Sequence, residues 1–254
     1  MLPEQRHAHI VNSVKKNKYC SIQQLAQEVG VSVATIRRDL QALAAEKQIR
    51  LTRGGAKHVM ANAVQEPAYS VKSSLSSDEK LRIGQAACKL VHPGETILLD
   101  TGTTVYQMVA GLRTMENITV VTNDVRIAAE LAMCPGITLC MLGGMLRKGH
   151  YTATGIWTQQ ALEALHVDHL FLSCDAVDAV GGCSITNSEE ILLKQHMINA
   201  SNECTLLADH TKFESIAFMR FCTIDRIQNI ITDSAVDPKI VKNYEALGVH
   251  MMVV

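Results

Sequence analysis

The spacing of apolar positions changes along the chain, and each change predicts a different element. Between Arg6 and Lys16, Ile10, Val11 and Val14 recur at helical spacing, which predicts a first helix. A second, shorter one follows. Ser21 stands at its N-cap with Gln24 three residues on, as in a capping box, and Leu25, Ala26 and Val29 share one face. Gly30 ends it, because glycine accepts the left-handed conformation of a helix C-terminus. A third helix opens on Ser32 and puts Ile36, Leu40 and Leu43 on its buried stripe, leaving Thr35, Arg37, Arg38 and Gln41 outward. From Ile49 to Lys57 apolar and basic residues alternate around Gly54-Gly55, the pattern of a β-hairpin.

The stretch from about His58 to Ser77 has little periodicity, one proline at Pro67 and five serines between Ser70 and Ser77, and reads as a linker with some local order. Ser77-Asp78-Glu79-Lys80 then opens a helix, its acids in the first turn where the macrodipole favours them. Beyond it, short apolar runs alternate with helical patterns. The runs at 96–100, 118–122, 137–142, 169–173, 203–208 and 228–232 predict buried strands, with helices over 103–112 and 123–133 among the segments between them. Repeated βα units imply a mostly parallel sheet covered on both faces, so the fold class is α/β behind a small helical head. Such sheets bind ligands beyond the carboxyl ends of their strands.

Composition adds little until it is divided. The chain of 254 residues is 47% apolar and 19% charged with a formal net charge of −1, the profile of a globular protein. Residues 1–58, however, hold ten Lys/Arg against four Asp/Glu, a net +6, while the remainder carries −7. A basic head on an acidic body points to nucleic acid as the head's partner. No stretch approaches the ~18 apolar residues of a membrane helix, and the N-terminus lacks the apolar core of a signal peptide, so no membrane contact is expected and the cytoplasm is the expected compartment. None of the eight cysteines forms a Cys-x-x-Cys pair, and His166 and His169 have no third ligand at matching spacing. No metal and no cofactor are expected.

In the head, two helices joined by a tight glycine turn, the second carrying cations, a hydroxyl and an amide, have the layout of a helix-turn-helix over about residues 20–39. The candidate DNA contacts are Ser21, Ser32, Thr35, Arg37, Arg38, Gln41 and, on the hairpin, Arg53. Hydroxyls and helix N-terminal amides suit phosphates, and arginine suits base edges or backbone; the sequence leaves open which arginine does which. Asp39, the one acid in the Arg-Arg-Asp run, is expected to pair with a neighbouring arginine.

Ser32-Val33-Ala34-Thr35-Ile36-Arg37-Arg38-Asp39-Leu40, followed by Arg53-Gly54-Gly55-Ala56, resembles the winged helix-turn-helix of the DeoR family of bacterial transcription regulators. The resemblance continues through Glu79-Lys80 into the body and implies a sugar-phosphate-sensing domain of the ribose-5-phosphate-isomerase and CoA-transferase type. It divides the chain into a head over 3–58, a linker over 59–77 and an effector domain over 78–254. It also implies a phosphorylated sugar or sugar acid as effector. A single head makes few base contacts, so at least a homodimer on paired half-sites of operator DNA is expected.

The polar residues of the body gather where strands end. Asp100-Thr101-Gly102-Thr103-Thr104 follows the first predicted strand and offers amides and hydroxyls to a phosphate. Thr122-Asn123 ends the second and Gly143-Gly144 the third, before Arg147 and Lys148. By the resemblance, Asp100 to Thr104 hold the phosphate, and Asp175, Lys194 and Lys212 line the sugar end. Two departures stand out. Ser173, Cys174 and Ala176 occupy positions where relatives often have glycines, which narrows that wall. No lysine lies between Lys148 and Lys194, where related isomerases carry one, so a repressor is expected rather than an enzyme. Asp175 and Glu190 keep an isomerase with a DNA-binding appendage as the alternative, ahead of a pure interaction scaffold.

Overall fold

The computed structural model describes residues 3–17, 19–45, 49–52, 54–58 and 69–254. They fall into two units, Met1–Ala63 and Val64–Val254.

Unit 1 runs α1 (Pro3–Asn17), β1 (Tyr19–Ser21), α2 (Ile22–Val29), α3 (Val33–Ala45), β2 (Ile49–Thr52) and β3 (Gly55–His58). The predicted stripes close on one core of Ile10, Val14, Leu25, Ile36, Leu40 and Leu43, all buried. The capping box forms: Gln24 N donates to Ser21 Oγ at 3.1 Å and Ser21 N donates to Gln24 Oε1 at 2.9 Å. Gly30 ends α2 at φ 70. Strand β1 was not expected. Three residues carry no period of their own, and β1 exists because it pairs antiparallel with β3, completing a sheet of order β1-β3-β2. A Cβ on Gly55 would lie 2.2 Å from the Cys20 carbonyl oxygen, so that position admits only glycine. Asp39 pairs not with an arginine beside it but with Arg6, 33 residues away, through Nε to Oδ2 at 2.6 Å and Nη2 to Oδ1 at 3.0 Å. This two-pronged bond ties α3 to α1 and, with His7, holds the Asp39 carboxyl below its ordinary range.

Unit 2 begins with α4 (Tyr69–Ser74) and α5 (Ser77–Cys88), then β4 (Thr96–Leu99), a 3₁₀ turn into α6 (Val109–Leu112), β5 (Ile118–Thr122), α7 (Val125–Leu131) and β6 (Ile137–Met141). A hairpin of β7 (Met145–Leu146) and β8 (Ala153–Thr154) leads to α8 (Ile156–Glu163) and β9 (Val167–Leu172). There follow β10 (Ala176–Asp178), β11 (Gly182–Ile185), α9 (Ile191–Asn199), β12 (Ser201–Leu207), β13 (Met219–Cys222), β14 (Asn229–Thr232), α10 (Pro238–Ala246) and β15 (His250–Val253). Residues 59–68 of the linker reading lie outside the described residues, and the rest of that stretch is α4 and the start of α5.

Seven strands form one parallel sheet of order β15-β14-β12-β9-β4-β5-β6. Six are the predicted runs, but β6, expected to be buried, lies at one edge and has no fully buried residue; the seventh, β15, is the short strand at the other edge. Burial alternates across the sheet, Leu98, Leu170 and Leu172 packing on one face and Ile97, Leu99 and Phe171 on the other. The order carries the main consequence for a ligand. From β4 the chain moves outward through β5 and β6, then returns to place β9 on the other side of β4. The loops leaving β4 and β9 therefore diverge, and the crevice between them is where such a sheet binds ligands.

Candidate effector site and DNA-facing helix

A cavity opens at that crevice, lined by Thr101, Gly102, Thr103 and Thr104 after β4, Ser173, Cys174 and Asp175 after β9, and Lys194 and Lys212. Arg147, His150 and Thr152 join it from the β7–β8 hairpin, Glu190 from the turn before α9, and Tyr69 and Lys72 from α4. Seven of the twelve residues expected for the ligand thus line one space.

The loop after β4 has unspent donors. Among the described residues, the backbone amides of Thr101, Gly102, Thr103 and Thr104 meet no protein acceptor. The Thr103 and Thr104 hydroxyls make no hydrogen bond either, and both residues are buried. Successive free amides in a tight loop form an anion cradle. The Thr101 hydroxyl is committed elsewhere, donating to Asp124 Oδ2 at 2.9 Å. Gly102, at φ 155, makes room for protein as well as ligand, since a Cβ there would come within 3.0 Å of the Ser173 side chain.

Five expected residues serve instead as structure. Asp100 is fully buried behind the cradle: Oδ2 accepts from Lys194 Nζ at 2.5 Å, Ser173 Oγ at 2.8 Å and Ser173 N at 2.9 Å. Thr122 Oγ1 donates to the Leu99 carbonyl at 2.8 Å, and Asn123 Nδ2 to the Ala153 carbonyl at 3.1 Å, so both fasten strand ends. The Gly143 carbonyl accepts from Thr158 Oγ1 at 2.7 Å, and Gly144 is a glycine because a Cβ would lie 2.3 Å from that same hydroxyl. Asp124 caps the helix that follows, accepting from the Arg126 and Ile127 amides at 2.8 and 3.1 Å; burial pushes its carboxyl above the ordinary range.

The charges of the cavity are mostly balanced in pairs. Lys194, fully buried, keeps its proton because nearby Asp100 and Glu190 outweigh the desolvation that works against it. Arg147 pairs with Glu190. Asp175 accepts from Lys72 Nζ at 2.7 Å and from the Thr186 amide at 2.8 Å; burial opposes its charge, but these bonds and Lys212 hold it well below the usual carboxylate range. Lys212 has no acid within ion-pair distance among the described residues. The wall thus offers about one unopposed cation beside the amide cradle. Asp175 and Glu190, the carboxylates of an isomerase reading, are both tied to cations.

Sequence reasoning missed Tyr69 and Lys72 because they lie in the supposed linker, and it missed His150 and Thr152 as lining groups. Ser173 and Cys174, expected on that wall as departures from glycine, do line the cavity. Among the described residues no cluster of three metal-ligating side chains occurs, and none of the described helices is long and apolar enough to cross a membrane.

On unit 1, Ser32 caps α3 by accepting from the Thr35 amide at 3.2 Å and bonds the Thr35 hydroxyl at 2.9 Å. Arg37, Arg38 and Gln41 are exposed on one side of α3, and neither arginine has an ion-pair partner among the described residues. The Ser21 hydroxyl is taken up in capping α2. Arg53 lies outside the described residues.

Residues 6–61 match the DeoR-like helix-turn-helix domain and residues 75–234 the DeoR C terminal sensor domain. A regulator from Bacillus subtilis, the uncharacterized YulB, is 33% identical over 96% of this chain and 94% of its own. The repressor GlcR of the same organism is 30% identical over 100% and 97%, and a putative aga operon repressor of Escherichia coli O157:H7 is 28% identical over 98% and 93%. Among solved structures, ribose 5-phosphate isomerase A from Methanocaldococcus jannaschii overlaps 54% of each chain at a TM-score of 0.40 and 21% identity. The chain belongs to the DeoR family of helix-turn-helix transcriptional regulators, a family of regulators and not of enzymes.

Proposed function

We propose that the chain represses a carbohydrate-catabolism operon, its operator affinity set by a phosphorylated sugar or sugar acid held in the crevice of unit 2. The run of four free amides at the crossover between β4 and β9 carries this reading. In it Thr101 to Thr104 cradle the phosphate, with Lys212 opposing its charge. Asp175 and Lys194 border the sugar hydroxyls, while Asp100 acts through Lys194 and Ser173 without touching the ligand.

In the head, over 3–58, Arg37, Arg38 and Gln41 face the major groove, Ser32 and Thr35 sit where α3's first amides meet a phosphate, and Arg53 extends the contact along the hairpin. Ser21 serves by fixing where α2 starts. Residues 59–77 connect the head to an effector domain over 78–254. One head makes few base contacts, so the working form is at least a homodimer on paired half-sites, in the cytoplasm.

A salt titration of operator binding tests the head's role. For about six to ten neutralised phosphates, the plot of log affinity against log salt has a slope of roughly −5 to −9. A slope near zero would contradict a basic head held on DNA.

A further inference from the structure

Helix α4 is the element at which the described chain enters unit 2, and none of its six residues is fully buried: Tyr69, Lys72 and Ser73 are half-buried and the other three exposed. A helix this short has no stability of its own in water, so its position depends on what it touches. Three polar attachments hold it. The Tyr69 hydroxyl accepts from Arg126 Nη1 at 3.1 Å, and the Tyr69 ring meets Tyr151 edge-on with centroids 4.9 Å apart. Lys72 Nζ reaches Asp175 at 2.7 Å. The buried Lys80 ammonium donates to the carbonyls of Lys72 and Leu75 at 2.5 and 2.6 Å, neutralising the negative end of the helix. Tyr69 and Lys72 also line the cavity, which is therefore complete only while α4 is docked.

We propose that α4 is a lid that the effector fastens: Tyr69 and Lys72 belong to the binding apparatus, and a phosphate ester in the crevice fixes a helix that otherwise opens. This rests on the reading of the cavity as a phosphate-ester site. Asp175 keeps Lys72 aimed into the cavity with a single negative charge, whereas a phosphate monoester brings about −1.5 to −2 near neutral pH and competes for the same ammonium. A ligand that touches α4 binds the docked state in preference and shifts the population toward it by that difference in affinity. Because α4 follows residues 59–68 in the chain, its docking decides whether residues 69–76 belong to the effector unit or to the connection that leads from the head. Occupancy of the crevice is thereby converted into a change in the length of that connection.

Amide hydrogen exchange on the full chain tests this, with inorganic phosphate and a panel of hexose and pentose monophosphates as probes. At a probe concentration about ten times its Kd, exchange at residues 70–76 slows roughly tenfold, together with exchange at Thr101 to Thr104. Lys72→Met removes the slowing at α4 and weakens probe binding about tenfold, Lys72→Arg restores part of both, and Tyr69→Ala speeds exchange at α4 without a probe. Slowing at Thr101 to Thr104 with none at 70–76 would overturn the lid and leave the cavity reading standing. Slowing at neither place with any probe would overturn both.

Discussion

Replacing Arg37 and Arg38 together by alanine lowers operator affinity by about two orders of magnitude or more, since a lost base-edge contact alone costs about 1–3 kcal/mol and a dimer loses four arginines. The operator is obtained by selecting random duplexes with the wild-type protein, and affinity is read by fluorescence anisotropy. Both side chains are exposed and bear no partner that folding needs, so exchange protection of α1 and α3 stays at the wild-type level. The single variants separate the roles. Loss of an arginine that reads a base relaxes preference at one position, and loss of one that holds a phosphate reduces the salt slope by about one. Wild-type affinity in a folded double variant would remove α3 from the interface.

Lys194→Met destabilises unit 2 by about 3–5 kcal/mol, because it leaves the Asp100 carboxylate buried without its cation. The two bonds from Ser173 cannot replace a full charge. Replacing both partners, Lys194→Met with Asp100→Leu, costs less than the single change, since no charge is then stranded. Hydrogen exchange of the β4 and β9 amides, in the middle of the sheet, reads these differences. A Lys194→Met protein as stable as the wild type would mean that the buried Asp100–Lys194 pair does not hold β4 and β9 together.

What the sequence made legible, and what it did not, follows the range of the interactions. The stripe of Ile36, Leu40 and Leu43, the Ser21–Gln24 box and Gly30 act within one or two helical turns, so the head could be read in order. The apolar runs of the central strands were equally visible, since a strand buried on both faces needs no partner to reveal it. Strands β1 and β13 exist through pairing with distant residues, Cys20 with Ala56 and Cys222 with Cys183, and left no local period. Helix α4 is the extreme case: none of its residues is fully buried, and what holds it comes from Lys80, Arg126 and Asp175. Its two cavity residues were therefore hidden in a serine-rich stretch. The cradle at Thr101 to Thr104 was visible as a strand-to-helix turn. That Thr122, Asn123, Gly143 and Gly144 fasten strand ends and a helix, and do not line the cavity, depends on hydrogen bonds to Leu99, Ala153 and Thr158 that no motif announces.

The central claim is that an anion in the crevice of unit 2 sets how tightly unit 1 holds DNA. Its most direct test is operator affinity measured across a panel of phosphorylated sugars and sugar acids, for the wild type and for Thr103→Val with Lys212→Met, which removes cavity donors without stranding a buried charge. The account predicts that at least one compound that raises the wild-type melting temperature also shifts operator affinity about tenfold, within the usual range of coupling between sites, and that the variant does not respond. A compound that binds the crevice and leaves operator affinity unchanged would contradict it.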